Sequence, residues 1–217
     1  QLVKQTHKFF GSEQQFASTR GIEISDILTS RLEGLPGRVE IQTDATVLGF
    51  YEDGVITAEV QGKFMKYRPE ACIVATGASE KTLPFMGNDL PGVYGAGAVQ
   101  TLMNEYGVRP GKRVLMIGAG NIGLIVSYQL LQAGVEVAAV LDAAEHIGGY
   151  LVHASKIRRA GVPILTRHTL ERAFGDEKVE HVIIHALDDE WKKVPDSERQ
   201  LDVDVVCVAV GLSPLTD

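Results

Sequence analysis

A glycine-rich turn carries the most specific chemical signal in this sequence. Gly118, Gly120 and Gly123 directly follow the apolar run 114–117, and an apolar helical pattern continues to Leu131. This order predicts a strand, a tight turn and a helix, the arrangement that holds the pyrophosphate of a dinucleotide. Gly118 permits the turn, Gly120 lets the backbone approach the pyrophosphate, and Gly123 lets the helix pack closely against the strand.

The start of the predicted helix supplies a second part of the same site. The amides of its first turn have no partners within the helix, and its positive dipole end favours anionic phosphates. We therefore include the other residues of the turn among the candidate cofactor-binding residues, namely Ala119, Asn121 and Ile122.

An acidic residue ends the next predicted strand and bears on which dinucleotide binds. Asp142 follows the apolar run 135–141, where it is placed to accept hydrogen bonds from the adenosine ribose hydroxyls. Its carboxylate would repel the 2′-phosphate of NADP, and no arginine occurs in residues 143–146. The sequence therefore predicts NAD(H) as the nucleotide.

Two further segments are similar to each other, and each leads into a glycine. The runs 71–75 and 203–210 are both predicted to be buried parallel strands that end at small residues, where backbone can approach a ligand. The candidate cofactor-binding residues at these strand ends are Ala75, Thr76, Gly77, Ala209, Val210 and Gly211. With the complete 114–142 spacing, they favour a dinucleotide site over two alternatives, an ordinary βα turn and the glycine turn of a S-adenosylmethionine methyltransferase.

Composition and charge argue against several other classes of protein. The chain has 217 residues, of which 45% are hydrophobic and 23% charged, and its net charge is −7. These values are ordinary for a soluble globular protein and argue against nonspecific binding to nucleic acid or anionic membranes. No apolar run approaches the roughly 20 residues that a membrane span needs, and the first residues do not form a signal peptide. We therefore expect a cytoplasmic protein.

The cysteines and histidines indicate neither dithiol nor metal chemistry. Cys72 and Cys207 lie in apolar runs, so both are predicted to be buried, and there is no C-x-x-C pair for disulfide exchange. The six histidines show no spacing typical of metal ligands. His146 and His153 lie near the predicted cofactor edge, but surface or packing roles are favoured for both. We predict no metal site and assign no catalytic residue.

Periodicity and turn residues predict an α/β fold with an antiparallel meander. The remaining predicted elements are a helix at 21–34, strands at 46–51, 55–61 and 64–67, a connecting segment at 79–95, helices at 98–106 and 149–160, a strand at 162–166, a hairpin formed by 169–174 and 179–187, and a surface excursion at 188–200.

These motifs together resemble the pyridine nucleotide–flavin oxidoreductases, which contain two dinucleotide-binding domains. Residues 75–77 resemble the family's Ala-Thr-Gly element, which touches FAD, and the 114–142 unit resembles its inserted NAD(P) domain. The proline- and glycine-rich run 83–100 is similar to a narrower subgroup. That subgroup holds the α subunits of sarcosine oxidases, the A subunits of opine oxidases and the B subunits of hydrogen cyanide synthases.

The resemblance implies a domain organisation and a function. It implies a partial FAD-binding-type domain with a β-meander over 1–108, and a three-layer, Rossmann-like NAD-binding domain over 109–217. In the intact protein, hydride would pass between the nicotinamide and a flavin, in an amine or amino-acid dehydrogenase or oxidase. Subunits of a hetero-oligomeric oxidoreductase are the partners that the resemblance implies.

Three departures from the family pattern limit what this chain is expected to do alone. No glycine fingerprint for FAD precedes the Ala-Thr-Gly element, and the family's Gly-Asp element normally follows the point that Asp217 occupies. Ile125 stands where many relatives carry a glutamate near the nicotinamide. We therefore expect that the chain does not hold FAD and is inactive by itself. A nucleotide-binding module without turnover is the alternative.

Overall fold

The computed structural model describes residues 2–35 and 37–215, so the outer ends of the two predicted domains, Gln1 and Asp217, lie outside it. The helices are α1 (Gly21–Glu33), α2 (Ala96–Asn104), α3 (Asn121–Gln132) and α4 (Leu151–Arg159). The strands are β1 (Ala45–Phe50), β2 (Ile56–Val60), β3 (Lys63–Tyr67), β4 (Ala78–Glu80), β5 (Val93–Gly95), β6 (Arg113–Ile117), β7 (Glu136–Asp142), β8 (Ile164–Thr166), β9 (His168–Phe174), β10 (His181–Ala186), β11 (Arg199–Asp202), β12 (Val205–Val208) and β13 (Leu212–Pro214).

A five-stranded parallel sheet organises the second half of the chain. Its strand order is β5-β12-β6-β7-β8, and the alternation β6-α3-β7-α4-β8 builds one side of it. The chain then returns to the other side of β6 through β12, so the strand order reverses between β6 and β12. In open parallel sheets, ligands bind at the carboxyl ends of the strands beside such a reversal.

The two faces of this sheet are covered by different layers. Helices α2, α3 and α4 pack on one face, where Leu124 and Leu130 of α3 and Ile157 of α4 are fully buried. An antiparallel sheet of order β11-β10-β9 covers the other face, where Val182 and Ile184 are fully buried. The predicted α/β class with three layers is confirmed, and the predicted hairpin gains β11 as a third strand.

The predicted β-meander near the beginning of the chain is also confirmed. β1, β2 and β3 form a three-stranded antiparallel sheet with the order β1-β2-β3. Only Thr57 and Ala58 of β2 are buried among its strand residues, all of which are described. Large apolar side chains on its surface, including Val47, Phe50 and Phe64, are more than half exposed.

The prediction of a buried strand at 71–75 is wrong. These residues form no strand and are exposed, with Ile73 92% exposed, and the predicted burial of Cys72 is therefore also wrong. An apolar run becomes a buried strand only when neighbouring strands pair with it, and none of the described strands pairs with this run. Cys207 is buried in β12 as predicted, and burial raises the pKa of its thiol far above the ordinary value.

The segment 79–95, predicted as a connection, contains two short strands. β5 adds to the edge of the parallel sheet beside β12, and β4 pairs with β13. The elements β5 and α2 therefore pack with the later part of the chain, although both precede residue 108. The division into 1–108 and 109–217 stays a prediction.

Across residues 2–35 and 37–215, the structure has no helix with the length and apolarity that crossing a membrane requires.

Two histidines pack against each other where the first residues meet α4, and they give a prediction for acid stability. Burial lowers the pKa of His7, as do the nearby His153 and Lys156, and burial and Lys156 lower the pKa of His153. An unfolded histidine binds a proton near pH 6.5, whereas these folded ones resist protonation, so acid favours the unfolded state. We expect a double variant, His7→Gln with His153→Gln, to lose less unfolding free energy between pH 7.5 and 5.5 than the wild type.

Urea unfolding at several pH values measures this difference. His146→Gln, at an exposed position, is the control for replacing a histidine by glutamine. Equal pH slopes for the double variant and the wild type would contradict the prediction.

Candidate functional site

A cleft of about 500 Å³ lies at the carboxyl edge of the parallel sheet, where the strand order reverses. We call it the nucleotide cleft. The turns after β6 and β12 form its floor, and the end of β7 forms one side. Six of the predicted site residues line it: Gly118, Gly120, Asp142, Ala209, Val210 and Gly211.

Two glycines of the turn are required by the protein's own packing. Gly118 has φ +107°, which disfavours any side chain, and a Cβ there would collide with the carbonyl oxygen of Ala209. A Cβ on Gly123 would collide with the carbonyl oxygen of Gly118. These contacts bring β6, α3 and the turn after β12 together at the switch point, and they explain both glycines without a ligand.

Gly120 differs from these two glycines. Its φ is −73°, an ordinary value for any residue, and it is the N-cap of α3. A Cβ built on Gly120 would meet no heavy atom of the described chain within 4 Å. Neither backbone conformation nor packing in the described structure requires glycine here, and Gly120 lines the nucleotide cleft.

The loop before α4 lies against the glycine turn and the start of α3. The Asn121 side chain accepts a hydrogen bond from the Tyr150 amide at 2.8 Å, and the Gly149 amide donates to the Ala119 carbonyl at 3.0 Å. The Asn121 side chain is thus engaged with protein backbone. The Asn121 Nδ2 group and the backbone amide of the residue are both donors that could meet an anion at this helix N-terminus.

The Asp142 carboxylate is held by the backbone around the cleft. Its Oδ2 accepts a hydrogen bond from the Ala119 amide at 2.8 Å, and its Oδ1 accepts one from the Ala144 amide at 2.9 Å. Each carboxylate oxygen has a second lone pair, so both can accept further bonds. The side chain therefore ties β7 to the glycine turn and still offers acceptors on the cleft wall.

A second cleft, of about 400 Å³, lies on the other side of the α3 N-terminus. We call it the Gly77 cleft, because Gly77 lines it together with Ile122 and Ile125 of α3. Glu80 reaches the start of α2, where its Oε1 accepts a hydrogen bond from the Gly97 amide at 2.6 Å. Two of the predicted site residues, Gly77 and Ile122, therefore line the Gly77 cleft.

The remaining predicted residues, Ala75 and Thr76, lie on the surface beside Gly77. The Thr76 hydroxyl donates a hydrogen bond to the Leu215 carbonyl, and the Leu215 amide donates to the Gly77 carbonyl at 3.0 Å. These bonds hold the Ala-Thr-Gly element beside the segment that follows β13.

Several residues that line the nucleotide cleft were not predicted from the sequence. Leu83, His168, Thr169 and Trp191 come from segments far apart in the sequence, and only the fold brings them together. Among these residues, only Trp191 stands out in the sequence, because it is the single tryptophan and lies in a polar stretch.

The two histidines considered from the sequence have different environments. His146 is exposed and lines the nucleotide cleft. His153 is buried on α4, where its ring lies 5.5 Å from that of Phe10.

The sheet order and the glycine turn at its switch point define a Rossmann-like fold, the class of fold that binds dinucleotides. The chain belongs to the pyridine nucleotide-disulphide oxidoreductase family, whose model matches residues 5–217. The predicted family is therefore confirmed, and with it the assignment to FAD/NAD-dependent oxidoreductases. The chain has no C-x-x-C pair, and both of its cysteines are free.

Individual relatives agree with this assignment. The alpha chain of sarcosine oxidase from Rhizobium meliloti (strain 1021) is 30% identical over 149 residues, which cover 62% of this chain and 15% of the relative. The A component of opine oxidase from Agrobacterium tumefaciens (strain Ach5) is 27% identical over 171 residues, covering 75% of this chain and 34% of the relative. The chain thus spans less than half the length of either protein.

Among solved structures, thioredoxin reductase from T. acidophilum is similar to this chain with a TM-score of 0.72 at 20% sequence identity. The match covers 99% of this chain and 66% of the other. This structural similarity supports the Rossmann-like fold of the chain.

Proposed function

We propose that this chain is the NAD(H)-binding portion of an FAD/NAD-dependent oxidoreductase and that the dinucleotide lies over the Gly118–Gly123 turn. The observation that carries the proposal is the open position at Gly120. A glycine that the chain's own conformation and packing do not require, facing a cleft of about 500 Å³, suits the close approach of a pyrophosphate.

Each part of the cleft then has a role in holding the nucleotide. The first amides of α3 donate to the pyrophosphate, and Asp142 accepts hydrogen bonds from the adenosine ribose. The nicotinamide end extends past Ile122 toward the Gly77 cleft, which Ile125 also lines. Bound NADH supplies a hydride, and the protein supplies placement and electrostatics. The apolar Ile122 and Ile125 contribute by excluding water from that end of the site.

The charges around Asp142 favour NAD over NADP. The Asp142 carboxylate would repel a 2′-phosphate. Arg167, which follows β8 beside Asp142, already forms ion pairs with Glu145 and Asp189. These two carboxylates partly neutralise the charge that Arg167 could offer to a 2′-phosphate.

We therefore expect Asp142→Asn to weaken NADH binding roughly tenfold and to reduce the preference for NADH over NADPH. The variant loses the negative charge and one of the two carboxylate oxygens that accept hydrogen bonds from the Ala119 and Ala144 amides, at 2.8 and 2.9 Å. A hydrogen bond to a charged group is worth about 1.5–3 kcal/mol. Fluorescence titrations of the purified chain with NADH and NADPH measure both effects. Asp89→Asn, in a segment away from this cleft, is the control. A wild-type chain that prefers NADPH would contradict the Asp142 argument.

The part of the chain that would contact FAD forms a less complete site than the nucleotide cleft does. In the described structure, Ala75, Thr76 and Gly77 are all exposed, and the run before them has no paired strand. These residues fit one edge of a flavin site and do not enclose one. We propose that FAD binds in the intact protein and that this chain alone does not retain it. Hydride would then pass between nicotinamide and flavin near the Gly77 cleft.

An absorbance spectrum tests the FAD proposal. The purified chain is expected to lack the flavin bands in the near-ultraviolet and blue, even after incubation with FAD and gel filtration. A yellow chain with stoichiometric FAD would overturn this part of the proposal.

The substrate and partners enter the proposal only by analogy. The relatives named above are components of a sarcosine oxidase and an opine oxidase, which suggests amine or amino-acid oxidation in a hetero-oligomer. We include a cytoplasmic location because both cysteines are free, which is typical of reducing compartments.

A nucleotide-binding module without turnover is the second candidate. Ile125, at the position where the family resemblance implies a glutamate in many members, and the exposed residues 75–77 both favour it. NADH-dependent reduction of a dye, with and without added FAD, separates the two. Turnover by this chain without FAD would contradict both candidates, whereas binding of S-adenosylmethionine in preference to NADH would favour the methyltransferase alternative.

A further inference from the structure

The single tryptophan of the chain stands at the mouth of the nucleotide cleft. Trp191 is 65% exposed, although indole is one of the most apolar surfaces a protein can present. It lies in a polar loop between β10 and β11, and its side chain lines the cleft together with Asp142, Ala143 and Ala144. Ligand clefts are commonly lined by aromatic side chains, so the position of Trp191 in this cleft makes it a candidate for ligand contact.

The loop that carries Trp191 is fixed in position. Asp188 Oδ1 accepts hydrogen bonds from the amides of Glu190 and Lys192, both at 2.9 Å, and the Asp188 carbonyl accepts one from the Trp191 amide at 3.1 Å. Within this turn Trp191 has φ +63°, which is uncommon for a bulky residue. A side chain held in an unfavourable backbone region by its surroundings is a frequent feature of ligand sites.

A second set of contacts joins this loop to the cleft wall. The Arg167 guanidinium pairs with Asp189 of the loop and with Glu145 of the segment after β7, the latter at 3.0 Å. The Arg167 amide donates to the Ala144 carbonyl at 3.0 Å. Arg167 thus connects the Trp191 loop to the residues that directly follow Asp142.

The position of Trp191 along the cleft identifies the part of the ligand it would meet. A recess of about 450 Å³ continues beyond the nucleotide cleft, and Ala143, Ala144 and Trp191 line both spaces. Gly118 and Gly120 line only the nucleotide cleft. Trp191 therefore lies on the side of Asp142 away from the glycine turn, where the base attached to the adenosine ribose would extend.

We propose that Trp191 forms a stacking surface for the adenine of the dinucleotide, between the small side chains of Ala143 and Ala144 and the recess. The inference rests on the proposed NAD(H) function and adds a residue that determines binding at the adenosine end. Stacking on an aromatic ring uses the π-face of the base, and the methyl groups of the two alanines leave room for it.

Binding of partial ligands tests this inference. Trp191→Ala should weaken binding of ADP-ribose and NADH roughly tenfold, whereas Trp191→Phe, which keeps an aromatic face, should stay within about threefold of wild type. Reduced nicotinamide mononucleotide, which lacks the adenosine half, should bind wild type and Trp191→Ala equally. Tyr106→Ala, which removes a side chain that is 66% exposed elsewhere, is the matched control and should leave all three affinities unchanged.

Tryptophan fluorescence reports directly on binding at Trp191, because it is the only tryptophan in the chain. ADP-ribose should quench its fluorescence in wild type with the same dissociation constant that calorimetry gives. Equal ADP-ribose affinity in wild type and Trp191→Ala would overturn the stacking proposal and leave the NAD(H) function standing. A wild-type chain that binds neither NADH nor ADP-ribose would overturn both.

Discussion

Gly120→Val should reduce NADH affinity at least roughly 100-fold, which corresponds to about 2.7 kcal/mol, while the chain folds normally. The reason is the open position of this glycine: its φ is −73°, and an added Cβ meets no described protein atom within 4 Å. The new side chain would therefore occupy only the space that the pyrophosphate needs. Calorimetric titration with NADH measures the affinity, and thermal unfolding measures the fold.

The matched control is Gly34→Val at the end of α1. This glycine has an ordinary φ of −71°, and the nearest atom to an added Cβ is the Arg31 carbonyl oxygen at 3.5 Å. We expect it to bind NADH like the wild type. Unchanged affinity in Gly120→Val would remove the main support for a nucleotide above the Gly118–Gly123 turn.

Gly118→Ala should instead destabilise the fold, by roughly 2–4 kcal/mol. Two costs add: the backbone has φ +107°, and the new Cβ collides with the Ala209 carbonyl oxygen. For a protein of this size, the loss corresponds to a fall of about 4–16 °C in Tm. Differential scanning calorimetry and urea unfolding measure the change.

A control for the backbone cost alone is Gly161→Ala, just after α4. Gly161 has φ +81°, but an added Cβ there meets no described atom within 4 Å. It should lose only about 1 kcal/mol. Equal losses in the two variants would show that the collision between the new Cβ and the Ala209 carbonyl oxygen adds no cost.

The parts of the fold that could be predicted are those whose signal lies in consecutive residues. The strand, turn, helix and strand from β6 to β7 follow from the periodicity of apolar residues and from the positions of the glycines. The meander β1–β3 follows from its turn residues. In both cases, residues close in sequence provide the partners that make the pattern stable.

The errors arise where stability depends on distant partners. The apolar run 71–75 has the composition of a buried strand, but no described strand pairs with it. Conversely, β5 has only three residues after Pro91 and Gly92, so it carries little strand signal, and it forms because β12 pairs with it. Pairing across the sheet decides both outcomes, and a single sequence does not record it.

The residues of the candidate site also fall into those that the sequence predicts and those that depend on the fold. Gly118, Gly120 and Asp142 could be predicted because the dinucleotide motif has a fixed spacing, and the structure brings them to one cleft. Trp191 and His168 could not be predicted in this way. They reach the cleft from the antiparallel sheet β9–β11 and its loops, which cover the face of the parallel sheet opposite to the helices. The engagement of Asp142 by two backbone amides also depends on geometry that no motif encodes.

The interior position of β12, between β5 and β6, has a consequence for synthesis on the ribosome. This strand, near the end of the described chain, pairs with β5 on one side and β6 on the other, so the sheet has a gap until it emerges. A nascent chain that has produced only β6–β11 exposes an unpaired parallel edge, a surface prone to aggregation. The cleft also lacks Ala209–Gly211 at that stage, so the proposed NADH site is incomplete until the residues after β12 are made.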